Sequence, residues 1–228
     1  ENLEQGTVSV STRPLLRSLV ARAALVVSVT AGCATTPLAG RDPSREAYGA
    51  YLRGLMYERS AKLPEALDAY RLAIEHDHHS PHLHVRVGAT YVKLGQLDKA
   101  MQQFDKALAL SPDNPDALRW VAMLRTSQGR LDEAIAAYER FLRAEPADQF
   151  VLSTLADLYV LQGELQRAIA LYERLIREFG PSTQLHFNLG VLYGRMNRFE
   201  DALQELSRAL ELSPEAVRAQ ISSALETV

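Results

Sequence analysis

From Pro81 to Asn114 apolar side chains return every three or four residues, first as Leu83, Val87, Tyr91 and Leu94 and then as Leu97, Met101, Phe104 and Leu108. That spacing predicts two amphipathic helices. Gly95 separates them, and Pro112 ends the second, because proline offers no backbone N–H to a continuing helix. A step of 34 residues recovers the pattern without insertion or loss. Tyr57, Tyr91, Tyr159 and Tyr193 share one column, and Ala66, Ala100, Ala134, Ala168 and Ala202 share another. Gly54, Gly88, Ala122, Ala156 and Gly190 form a third, whose small side chains let the paired helices approach closely. Five copies follow, at 47–80, 81–114, 115–148, 149–182 and 183–216. Such a period predicts a linear array whose units pack on their neighbours.

These columns resemble those of the tetratricopeptide repeat, a helix-turn-helix unit with a small residue and Tyr on its first helix and Ala, an aromatic and a late Pro on its second. The resemblance implies an all-α fold, a right-handed α-solenoid of five tandem 34-residue repeats with a C-terminal capping helix. Pro112, Pro146, Pro181 and Pro214 should stop or reset helices. Repeat 3 departs most, with Arg125 in the Tyr column and Phe141 where Ala73, Ala107 and Ala209 stand elsewhere, so local repacking is expected there. Residues 217–228 supply about one helix, either a polar-faced cap or the start of a sixth repeat.

The segment before the array has a different character. Arg13, Arg17 and Arg22 precede the apolar run Ala23 to Ala31, followed by Gly32 and Cys33. A basic region, a short apolar run and small residues describe a secretory signal over 1–32; a bilayer span needs about 20 apolar residues. Thr30-Ala31-Gly32-Cys33 resembles the lipobox of bacterial lipoproteins, which implies lipidation of Cys33. Residues 33–46 contain Pro37, Gly40 and Pro43 without helical periodicity and read as a lipidated cysteine and flexible tether. By the same resemblance the chain is a bacterial envelope protein on the outer membrane facing the periplasm, since Ala34 rather than Asp follows the cysteine, with inner-membrane anchoring as the alternative.

Charge narrows the partners. The net charge of -3 and the absence of a basic stripe argue against nucleic acid. Without Arg13, Arg17, Arg22, Glu1 and Glu4, 22 basic and 26 acidic side chains remain, so net charge would not hold the processed chain to anionic lipid. Cys33 is the single cysteine, which rules out a disulfide within one chain.

In tetratricopeptide arrays the first helices line the concave face, and ligands touch the second, fifth, ninth and twelfth positions of each repeat. The resemblance therefore implies a partner groove containing Tyr48, Tyr51, Leu55, Val85, Ala89, Val92, Arg119, Met123, Phe150, Asp157, Phe187 and Val191. This surface is mostly apolar and aromatic, interrupted by Glu58, Arg119 and Asp157, and suits an extended or helical segment of another protein. Internal packing or a homodimer is the alternative. Arrays that grip a peptide carboxylate use Asn at the ninth position of their first two repeats, where this chain has Leu55 and Ala89. Arg119, a cation among apolar neighbours, is expected to seek an anionic ligand or Asp157.

His76, His78, His79, His82 and His84 cluster in the turn between repeats 1 and 2 and are weak candidates for a metal, since their spacing matches no recognised zinc site. No nucleophile elbow, phosphate loop or zinc-protease motif occurs, so neither catalysis nor a cofactor is expected. The chain resembles the tetratricopeptide lipoproteins that assist secretin or pilus biogenesis, assemble outer-membrane proteins or recruit murein hydrolases. An alternative is the leading part of a larger envelope enzyme.

Overall fold

A computed structural model describes residues 43–213. Cys33 and the leader before it, the tether up to Asp42, Pro214 and the expected cap at 217–228 lie outside the described residues. The described chain is helical throughout: α1 (Pro43–Arg59), α2 (Leu63–His76), α3 (Pro81–Lys93), α4 (Leu97–Leu110), α5 (Pro115–Ser127), α6 (Leu131–Ala144), α7 (Gln149–Gln162), α8 (Leu165–Phe179), α9 (Thr183–Arg195) and α10 (Phe199–Leu212). The starts of α3, α5, α7 and α9 are 34 residues apart, as are those of α2, α4, α6, α8 and α10. α1 begins at Pro43, so Pro43 to Glu46, assigned to the tether by composition, form its first turn. Proline is tolerated there because the first helical N–H has no intrahelical acceptor to lose.

Local chemistry sets the boundaries. Asn114 and Asp148 cap α5 and α7, each accepting a backbone N–H three residues on at 2.9 Å. Between the two helices of every repeat one residue adopts positive φ: Ala61, Gly95, Gly129, Gly163 and Asn197. Glycine enters that conformation without the Cβ clash that penalises other residues.

Within a repeat, the second-helix aromatic packs against the small column of the first helix. A Cβ added at Gly88 would lie 2.5 Å from the Phe104 ring. Phe104, Tyr70, Tyr138 and Tyr172 are fully buried at this position, with Leu206 in the fifth repeat. Two large core clusters result, one centred on repeats 1 and 2 and one on repeats 3 to 5, and Leu108 and Val121 pack against both. Phe141 joins the second cluster, and the Arg119 guanidinium lies 5.6 Å from its ring centre.

Polar ties reinforce each junction between repeats. Tyr159 donates to Glu139 at 2.5 Å and Tyr193 to Glu173 at 3.0 Å, each reaching back 20 residues. Tyr91 accepts from Arg71 instead. Arg174 donates to the Pro146 carbonyl at 2.7 Å, as Arg140 does to that of Pro112. Arg125, in the Tyr column, turns to Glu133 of its own repeat at 3.2 Å.

Candidate functional site

The first helices present one side chain per turn to a common face, and their register decides what remains open. Tyr48 (62% exposed) and Phe150 (61%) stand out from it, with Met123 and Val191 also exposed. Tyr51, Leu55, Ala89, Val92 and Phe187 are half-buried. Val85 departs from expectation: it is 5% exposed and belongs to the cluster of Tyr70 and Phe104, against which Tyr51 and Trp120 pack. It is core rather than groove, because those wide neighbouring side chains close over the cluster.

Among the open pockets on this face, two lie between first helices and are lined by expected groove residues. One, of about 350 Å³, lies between α7 and α9 and is lined by Asp157, Val160, Leu161, Phe187, Val191 and Arg195, among others, with the Tyr172 ring reaching it from α8. The other, of about 270 Å³, lies between α1 and α3 and is lined by Tyr48, Tyr51, His82 and Leu83 with Asp77 and Ser80. In the second, the Tyr51 hydroxyl and His82 Nε2 are 3.1 Å apart. Burial, with Arg86 adding, holds the His82 imidazole below its usual pKa.

The charges of the face are mostly tied into the fold. Tyr172 donates to Asp157 at 2.5 Å and Tyr70 to Glu58 at 2.6 Å, so a core phenol anchors an acid on the first-helix face twice. Burial and the bond to the carboxylate push both phenols above the ordinary tyrosine range. Burial opposes the charge of Glu58, but the hydrogen bonds from Lys93 and Tyr70 outweigh it and hold the carboxyl below its usual pKa. Arg119 does not reach Asp157. Its nitrogens lie 3.4 Å from Asp116 and 3.8 Å from Asp148, the last residue of the same repeat and the cap of α7, so it ties α5 to the start of α7. Asp157 was the expected intrachain partner, yet its carboxylate is taken by a phenol from the helix behind it.

The histidines of the first turn do not converge. His76 Nδ1 lies 3.4 Å from Glu46, His82 meets Tyr51, and the buried His84 Nδ1 lies 2.9 Å from Gln103. His78 and His79 are exposed. No group of three or more His, Cys, Asp or Glu side chains among the described residues is placed to hold a metal ion.

A polar site deep between α9 and α10 was not anticipated. His186 and Glu205, 5% and 8% exposed, meet at 2.6 Å, and Arg208 donates to the same carboxylate at 2.6 Å. The aligned pairs are Ala50 with Ala69, His84 with Gln103, Leu118 with Ala137, and Leu152 with Leu171. Both columns become polar together in repeats 2 and 5, and that joint change is the sequence signal that could have revealed the pair.

The model of the family described as Tetratricopeptide repeat matches residues 88–149, 153–217 and 187–225, together more than half of the chain. Protein bimA of Emericella nidulans is 38% identical over 68 residues, which are 30% of this chain and 8% of that protein. The chain therefore matches only a small part of the length of that curated relative. Among solved structures, YrrB, described as a TPR protein with an unusual peptide-binding site, aligns with a TM-score of 0.65 at 20% identity over 78% of this chain and 91% of its own. A MamA structure gives 0.64 at 19% identity, covering 77% and 95%, and MamA of Desulfovibrio magneticus RS-1 gives 0.61 at 21%, covering 73% and 94%. At these identities the structures bear on the fold alone. The matched family model, the helix pairs repeating every 34 residues and the small, Tyr, Ala and aromatic columns agree: the chain belongs to the tetratricopeptide repeat family.

Proposed function

We propose that this protein is a lipid-anchored adaptor of the bacterial cell envelope, held to the outer membrane through Cys33 and binding a segment of a partner protein across its first-helix face. The family is one of protein-interaction scaffolds, and YrrB, with the same fold, is described as having a peptide-binding site. The observation that carries the reading is the pair of open, apolar-walled pockets between α1 and α3 and between α7 and α9. An extended or helical segment bearing apolar anchors would fill them, with Arg119 and the acids between them fixing its register. The work is assembly at the envelope, such as secretin or pilus biogenesis, outer-membrane protein assembly or murein hydrolase recruitment.

Photocrosslinking in intact envelopes tests the groove. A crosslinker at Val191 or Tyr51 should capture a discrete partner, and one at Ala170, exposed on α8, should not; equal capture from all three places would move the binding surface elsewhere. Labelled fatty acid should enter the protein and be lost with Cys33→Ser. A protein that takes up no label refutes the anchor independently of the groove.

A further inference from the structure

We infer that the outward face of α1 is a membrane-contacting surface that meets anionic phospholipid. On a helix of 3.6 residues per turn, Arg45, Tyr48, Leu52, Met56 and Arg59 fall within about 80° of one another. All five are exposed, Met56 at 69%. An apolar stripe thus runs the length of the helix with an arginine at each end, and Arg53 lies beside it, also exposed. Neither acid of the helix lies on that stripe: Glu58 takes the Tyr70 phenol and Lys93, and Glu46 lies 3.4 Å from His76. Leu52, Met56 and Arg59 of the stripe also line an open groove of about 540 Å³ together with Leu55, Glu58 and Lys93.

The aligned positions show why this face is not one more stacking surface. Where α1 has Met56, the other first helices, each of which follows another repeat, bury Thr90, Leu124, Leu158 and Leu192. Where they carry Val87, Val121, Leu155 and Leu189, α1 carries Arg53. A preceding repeat or a second copy seated in the same register would bury that guanidinium, and an isolated buried charge is strongly unfavourable. A phospholipid surface accepts it. Apolar side chains enter the boundary of headgroups and acyl chains while long arginines reach out to the phosphates. The chain outside the described residues argues for the same occupant. Pro43 follows Cys33 by ten residues, a reach of roughly 35 Å when fully extended, so α1 would be the element of the array held nearest the bilayer. That step rests on the lipid anchor proposed above. The processed chain is acidic overall, and the basic, apolar face is a local exception.

Hydrogen exchange on the full chain, wild-type and Cys33→Ser, tests this with vesicles of phosphatidylcholine alone and of phosphatidylcholine with phosphatidylglycerol, the bound protein being isolated by flotation. Anionic vesicles should slow exchange of α1 amides by about tenfold or more, with α5 and α9 unchanged. The protection should disappear in Arg45→Gln/Arg59→Gln and in Leu52→Gln/Met56→Gln, both exposed substitutions whose folding is checked by unchanged helix content. Vesicle-bound protein whose α1 exchanges as in solution overturns the inference. So does protection that appears without vesicles as protein concentration rises, which would assign the face to a second copy. The Cys33→Ser chain carries no acyl group and should still show α1 protection. A wild-type chain lacking acyl mass would refute the anchor and leave that result standing.

Discussion

The fourth repeat and the first and last described ones carry the same columns, and the same column does opposite things in them. Leu158 and Tyr159 of α7 are buried, and Tyr159 is bonded to Glu139 of the third repeat; their counterparts on α1, Met56 and Tyr57, are exposed. In the fourth repeat Leu152 and Leu171 occupy the columns that His186 and Glu205 occupy in the fifth. Arg174 reaches back to the Pro146 carbonyl, whereas Arg208 in the same column turns inward to Glu205. In a solenoid the burial of a position is therefore a property of the neighbour as much as of the residue. The second and fifth repeats fill with polar pairs, His84 with Gln103 and His186 with Glu205, the columns that the fourth fills with leucines, so a shared column does not fix a shared role.

The sharpest break of that comparison is truncation within one column. Leu158→Ala removes a side chain enclosed on all sides and should cost about 2–5 kcal/mol. Met56→Ala, at the aligned place on a bare face, should stay within about 0.5 kcal/mol. Urea denaturation followed by helical signal measures both. Similar midpoint shifts for the two would mean that α1 is covered.

A smaller effect is expected between the fourth and fifth repeats. His186→Leu deprives a buried carboxylate of one of its two partners and should cost about 1–3 kcal/mol. His186→Leu combined with Glu205→Leu recreates the apolar pair of the fourth repeat and should cost less than the single change, because no buried charge is left short of a partner. Additive losses in the double variant would show that the two side chains are not energetically coupled.

Much of the fold was legible because a repeat is its own control. A single apolar run is ambiguous between helix types and boundaries, but five runs in register gave helix starts at Pro81, Pro115, Gln149 and Thr183. The first start was misplaced by four residues, since a proline in a polar stretch serves a tether or a helical first turn equally well. Exposure along the first helices was legible in part. Tyr48, Met123, Phe150 and Val191 are exposed on the first-helix face, but Val85 is buried, because its exposure depends on Tyr51 and Trp120 in adjacent repeats. The partners of Arg119 depended on the distance between helices, which no spacing along the chain encodes. His186 and Glu205 lie 19 residues apart and become a pair only when the columns are compared across all five repeats.

The turn between paired helices offers the mildest contrast, and one in which the sign should reverse. Gly163 has φ of 80° and Ala61 has φ of 57°, in the same column of the fourth and first repeats. A Cβ at Gly163 would find nothing within 4 Å, so Gly163→Ala tests the backbone alone. The left-handed conformation costs a non-glycine residue about 1–2 kcal/mol, while the reduced freedom of the unfolded chain returns about 0.4–1 kcal/mol. Gly163→Ala should therefore destabilise by roughly 0.5–1 kcal/mol, and Ala61→Gly should stabilise by no more than about the same amount. Asn197→Gly should gain less, because asparagine enters this region more readily than alanine. Denaturation midpoints moving in the same direction for Gly163→Ala and Ala61→Gly would show that the first turn is not held in the left-handed conformation, and that the end of the array is looser than its interior.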